Sequence, residues 1–162
     1  MSAGSCDGHV VSVNTSAATG VRKCPQPSVE LETDRGVVGD AHAGPWHRQV
    51  SLLALESVEK MRARGADVHP GDFGENVTTR GVDVAALPVG RRVRLGPCLL
   101  EITQIGKECH DRCAIYRQVG DCVMPREGVF GRVLEGGVVR PGDRLRCEGE
   151  ERERDKGADG ER

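Results

Sequence analysis

Two thiols four residues apart, with a histidine and an arginine between them, mark the stretch Gly106-Lys107-Glu108-Cys109-His110-Asp111-Arg112-Cys113-Ala114-Ile115-Tyr116. A third cysteine, Cys122, and the run Met124-Pro125-Arg126-Glu127-Gly128 follow it. A thiol is a nucleophile, a soft-metal ligand or a sulfur carrier only as the thiolate, and neighbouring cations such as Lys107, His110 and Arg112 favour that form. Chemistry is therefore expected here, with the rest of the chain holding the segment and shaping a cleft over it. Zinc is an alternative for Cys109, His110, Cys113 and Cys122, which offer its ligand types at short spacing but without the paired Cys-x-x-Cys pattern. The remaining thiols read differently. Cys98 and Cys147 suit the core as inert groups, whereas Cys6 and Cys24 fall in loop-like stretches and receive no role.

Other polar side chains can line such a cleft. His42 and His47 are candidate acid–base groups or phosphate donors, or else hydrogen bonders that pin a glycine-rich loop. Asn76, Thr78 and Thr79 carry amide and hydroxyl groups that suit a phosphate oxygen, or that cap their own loop. Arg126 has a planar fork that matches phosphate, with a solvated surface arginine as the rival reading.

These residues need a frame. His9-Val10-Val11-Ser12-Val13-Asn14 reads as a first strand, and a second is expected over residues 29–33. Residues 15–28 and 39–48 read as loops, the latter with three small hinges and two histidines. A helix is expected over residues 52–64, with Ser51 as N-cap, Ala54, Val58 and Met61 on one face, and Gly65 as its stop. Strands are expected over 89–95, 99–105 and 144–147, a helical turn over 114–119, and a hairpin joining 129–134 to 138–139. Short valine-rich strands and 22 glycines argue for a β-rich, barrel-like domain.

Composition narrows the function. With 162 residues the chain is the size of one domain, divided here into an N-terminus (1–8) and a charged tail (148–162), both expected to be disordered, and the barrel between them (9–147). Twenty-three basic and 25 acidic residues give a net charge of -2, no footprint for nucleic acid. The tail carries seven acids and four bases, which leaves residues 1–147 at +1 and allows a mild basic patch over a cleft. No run approaches the roughly 20 apolar residues of a membrane helix, and the N-terminus lacks signal-peptide character. A cytoplasmic location is expected, where the seven cysteines stay reduced as free thiols rather than forming a disulfide framework.

Four blocks together resemble the MOSC family, named for the C-terminal part of molybdenum cofactor sulfurase. They are Gly39-Asp40-Ala41-His42-Ala43-Gly44 with Trp46-His47-Arg48-Gln49-Val50-Ser51-Leu52-Leu53; Pro70-Gly71-Asp72-Phe73-Gly74-Glu75-Asn76 with Thr78-Thr79-Arg80-Gly81; Leu87-Pro88-Val89-Gly90 with Thr103-Gln104-Ile105-Gly106-Lys107, Cys109-His110 and Cys113; and Gly120-Asp121-Cys122-Val123-Met124-Pro125-Arg126-Glu127-Gly128. The resemblance implies a closed, mostly antiparallel β-barrel with a few short helices, in a small stand-alone member. It also implies a cleft cysteine that carries a persulfide or ligates molybdenum. Arg112-Cys113-Ala114-Ile115 matches the arginine–cysteine pattern of cofactor-binding relatives and ranks Cys113 first, as the metal ligand, while a shorter pattern in small relatives keeps Cys109 open. His42, His47, Arg48, Asn76, Thr78, Arg112 and Arg126 are then the cofactor-binding candidates, toward an anionic molybdopterin. A catalytic variant would reduce N-hydroxylated compounds, and a non-catalytic one would deliver cofactor. Pyridoxal phosphate is not expected on this chain, so sulfur would come from a partner cysteine desulfurase and pass to a molybdoenzyme.

Overall fold

The computed structural model describes residues 6–18, 21–106 and 124–148. Seven strands close a barrel: β1 (Asp7–Thr15), β5 (Val50–Ala54), β6 (Val77–Arg80), β7 (Arg92–Leu95), β8 (Cys98–Ile105), β9 (Val129–Glu135) and β11 (Arg144–Cys147). Their order is β11-β7-β8-β9-β5-β6-β1, and β1 pairs back on β11 to shut the ring. β2 (Cys24–Gln26) adds to the far end of β1. A separate three-stranded sheet runs β10 (Gly137–Val139), β3 (Val29–Glu32), β4 (Gly36–Val37). Among the described residues every pairing is antiparallel except β5 with β6, which are linked by helix α1 (Leu55–Ala63) as a β-α-β unit. A short helix, α2 (Met124–Glu127), leads into β9. The β-barrel expected from the short valine-rich strands is thus present, and no helix among the described residues is long and apolar enough to cross a membrane.

The alternation of side chains fills the barrel. Val10, Val13, Leu52, Val77, Val93, Leu95, Leu100, Ile102, Val133 and Leu145 form one buried cluster inside the ring. A second cluster lies outside it, under α1: Leu53, Val58, Met61, Ala66, Val68, Phe73 and Phe130. β5 serves both. Leu52 faces the barrel and Leu53 faces the helix, so all five of its residues are buried. Each leucine removed from water in this way stabilises the fold by about 1.5–3 kcal/mol.

That double burial corrects the expected helix boundary. An apolar run of this length fits a strand covered on both faces as well as a helix. Residues 52–54 are strand, the helix starts at Leu55, and its N-cap is Ala54, not Ser51. The stop at Gly65 is found, with φ at +98°. The expected hairpin over 129–139 is also corrected. β10 follows β9 but pairs with β3, because Gly136 lies against the Leu31 carbonyl, where a Cβ would collide.

The barrel seam carries a covalent bond that the expectation of free thiols did not include. β1 and β11 pair with Asp7 opposite Arg146, which sets Cys6 beside Cys147. They form a disulfide with Cα atoms 5.4 Å apart, across a separation of 141 residues. Cys6 is buried, and Cys147 is not the inert free thiol expected. Cross-links closing loops of this length stabilise by up to about 5 kcal/mol in the chain-entropy model. Cys24 is a free, exposed thiol in β2. Cys98 is a free, buried thiol whose pKa is pushed up to about 11, first by burial and then by Asp143, with Arg94 opposing.

Candidate functional site

The loop over residues 39–48 is fixed at its start by a buried ion pair. Lys23 and Asp40 have fully buried side chains, with Lys23 Nζ 2.9 Å from Asp40 Oδ1. The ammonium has three protons and finds three acceptors: Asp40 Oδ1, Ser16 Oγ at 3.0 Å and His42 Nδ1 at 3.1 Å. Ser16 is free to accept because its own hydroxyl donates to the Ala18 carbonyl. Asp40 accepts further bonds from the backbone N–H groups of Ser16 and His42. Burial alone would raise the Asp40 pKa. The contacts with His42 and Lys23, together with the bonds from those two N–H groups, outweigh it and hold the carboxyl well below its ordinary range. His42 Nδ1 lies 3.7 Å from Asp40 Oδ2, beyond hydrogen-bond length, so Lys23 is its donor. Lys23 belongs to no expected site and carries no sequence signal. It is placed by Gly71, which accepts the Lys23 N–H on its carbonyl and whose positive φ and missing Cβ leave room for the Lys23 carbonyl.

Farther along, the same loop lies on the end of β8. His47 Nε2 is 2.7 Å from Gln104 Oε1, and the Thr103 hydroxyl donates to the His47 carbonyl. Trp46 donates its indole N–H to the His42 carbonyl at 2.8 Å, folding the loop back on itself. The Arg48 guanidinium is stacked 4.6 Å from the Trp46 ring and 5.6 Å from that of Phe130. Its Nε is shielded from solvent and has no hydrogen-bond partner among the described residues. The loop is closed by buried Gln49, whose amide accepts from Val133 N–H and donates to Asp34.

Cys109, Arg112 and Cys113 lie outside the described residues, as do Lys107, His110, Cys122 and the expected turn at 114–119. Hydrogen bonds hold the residues at the two ends of their segment. Gly106 N–H donates to Gly128 O at 2.6 Å, and Gln104 Nε2 donates to Gly106 O at 2.8 Å. On the return side, Glu127 of α2 accepts from Ser57 and pairs with Lys60 at 2.9 Å, which docks α2 on α1. Burial would raise the Glu127 pKa, but Ser57, Lys60 and the charge of Arg126 bring it below the ordinary value. Arg126 is exposed on α2. The loop carrying His42, His47 and Arg48 therefore meets β8 at Thr103 and Gln104, two residues before Gly106, where the thiol segment begins.

Asn76 and Thr78 lie in a sealed network that meets the Lys23 site at Gly71, whose carbonyl takes the Lys23 N–H and whose own N–H goes to Glu75. Both are completely buried. Asn76 Oδ1 accepts from Ser51 N–H and its hydroxyl, and Nδ2 donates to Asn14 O, so one amide ties β6 to β5 and β1. Thr78 donates to Glu75 Oε2 at 2.6 Å, which also takes the Gly71 N–H. Burial raises the Glu75 pKa despite these bonds, and its Oε1 has no partner among the described residues. Ser51, expected as a helix cap, works here as a strand-to-strand clamp. Among the described residues no three His, Cys, Asp or Glu side chains gather to hold a metal.

The family model for the MOSC domain matches residues 39–146, more than half of the chain and the span holding both the loop and the thiol segment. The chain belongs to the MOSC domain family. Solved structures agree on the fold. The YuaD protein from Bacillus subtilis superposes with a TM-score of 0.73 at 16% identity, covering 87% of this chain and 95% of that one. YiiM from Escherichia coli gives 0.61 at 20% identity, covering 87% and 69%. YiiM from Geobacillus stearothermophilus gives 0.59 at 21%, covering 86% and 72%. No curated protein matches the chain in sequence. Membership of the MOSC family suggests a role related to the molybdenum cofactor.

Proposed function

We propose that this MOSC protein handles sulfur or the molybdenum cofactor through one cleft thiol, Cys113, with Cys109 as the alternative. The observation that carries the reading is the meeting of the histidine loop with the end of β8, through His47–Gln104 and Thr103–His47, directly beside the point where the thiol segment leaves the barrel. The donor set suits an anionic group. Arg48 has a stacked guanidinium with an unused N–H, and His42 is held by buried charges. Arg48, His42 and Arg126 would hold a cofactor phosphate or oxyanion. A bound molybdenum centre would supply redox chemistry, or the thiolate alone would accept and pass on a persulfide. A cysteine desulfurase as sulfur donor and a molybdoenzyme as recipient fit this role, and reduction of N-hydroxylated compounds would be its catalytic form.

The test is metal and persulfide analysis of protein made in a host that synthesises molybdenum cofactor. Molybdenum or a labelled persulfide should be retained by the wild type and lost in Cys113→Ser. Loss in Cys109→Ser alone would move the role to that residue. Retention in both variants would end the thiol reading.

A further inference from the structure

The geometry points to Lys23 and Asp40 as positioning residues that lock His42 as a neutral Nε2–H donor for an oxyanion. The argument is hydrogen-bond bookkeeping. A lysine ammonium has donors only, so His42 Nδ1, 3.1 Å from Lys23 Nζ, must be an acceptor. The ring proton then sits on Nε2, which has no partner among the described residues. The Lys23 contact cannot form with an imidazolium, whose two nitrogens both donate. Lys23 is in turn fixed by Asp40 and Ser16, so no rotation relieves the constraint. The burial gradient gives the device a direction. Lys23 and Asp40 side chains are fully buried while that of His42 is 25% exposed, so two buried charges set the state of one ring that reaches solvent. An uncharged, orientation-locked N–H matches the oxygen of phosphate or molybdate, and it costs no reorganisation on binding. The partner at Nδ1 decides which nitrogen is offered, as in the outer shells of many histidine sites.

This inference rests on the oxyanion role proposed for His42 and deepens it, and its readouts, the tautomer of the His42 ring and its response to anions, are separate from the molybdenum or persulfide retention that tests Cys113. The test is nitrogen-15 NMR of the histidine rings at pH 7.5, with His42 assigned by the signals lost in His42→Gln. The expected spectrum has a protonated, pyrrole-type Nε2 and an unprotonated Nδ1. An Nδ1–H tautomer, or an imidazolium, would overturn the assignment. Phosphate and molybdate are then titrated while the Nε2 signal is followed. A saturable shift in the wild type, weakened about tenfold or more in Lys23→Met/Asp40→Asn, is the expected result. No shift with either anion, or equal affinity in the double variant, would overturn the oxyanion role. The double variant removes both buried charges together. Should it fail to fold, the wild-type spectrum and titration still decide.

Discussion

Asn76 and His42 both come from glycine-punctuated loops, and both hydrogen bond to buried partners, but the two networks have opposite construction. The Asn76 network, with Ser12, Asn14, Ser51, Glu75 and Thr78, is entirely buried and holds one carboxyl whose pKa is raised by burial. The His42 network contains a full ion pair, its carboxyl is held low, and two members, His42 and Ser16, reach solvent. A sealed network of amides and hydroxyls satisfies strands that meet at an irregular place, here the parallel β5–β6 pair beside the bulge in β1. Keeping a buried charge pair merely for stability is a poor use of it, because apolar replacements often do as well. A pair that spends its third donor on a partly exposed imidazole has a use at the surface.

The largest expected effect breaks the open network. Asp40→Ala strands the Lys23 ammonium at a site with no solvent, and removing one partner of a buried pair costs about 3–5 kcal/mol. Chemical denaturation at pH 7 measures it. A loss below about 1 kcal/mol would mean that the pair is wetter than its geometry implies and would erase the contrast between the networks.

The sequence made the frame legible and the device illegible. Alternating valines and leucines in β1, β7 and β8 announced a barrel, because sheet faces have period two. The blocks around His42, Glu75 and Gly106 were visible as motifs. Lys23 was not, since it sits between Arg22 and Cys24 in an aperiodic stretch and acquires meaning only through Asp40, 17 residues on. Ser51 was misread because a polar residue ahead of Leu52-Leu53-Ala54 resembles a cap, and only the tertiary covering of β5 on both faces makes it a strand residue. Cys6 and Cys147 carry no spacing signal, being brought together by closure of the ring.

The next effect breaks the sealed network. Asn76→Ala removes the acceptor of Ser51 and the donor to Asn14 O. Each buried group left unpaired costs about 1–3 kcal/mol, so a total of at least about 2 kcal/mol is expected. The comparison sharpens if the oxyanion titration of His42 is unchanged in the folded variant. A tenfold loss of anion affinity would instead join Asn76 to the site.

The smallest effect concerns pH, where the two carboxyls should act in opposite senses. Asp40 is held below its ordinary value of 3.8, so its contribution is present above that value and is lost as pH falls toward its folded pKa. Glu75 is raised above its ordinary 4.5. The unfolded chain therefore releases that proton first, and stability falls as pH rises from about 4.5 toward the folded value. Glu75→Gln removes this slope. A glutamine carbonyl can still accept from Gly71 and Thr78, and its amide replaces an oxygen that has no partner among the described residues. At pH 4.5 the change should stay within about 1 kcal/mol, the net worth of one neutral hydrogen bond. At pH 8 the variant should be the more stable protein. Denaturation midpoints across pH 4.5–8 check it. A variant that loses stability equally at every pH would show that Glu75 is ionised in the fold, and the sealed network would then hold a charge after all.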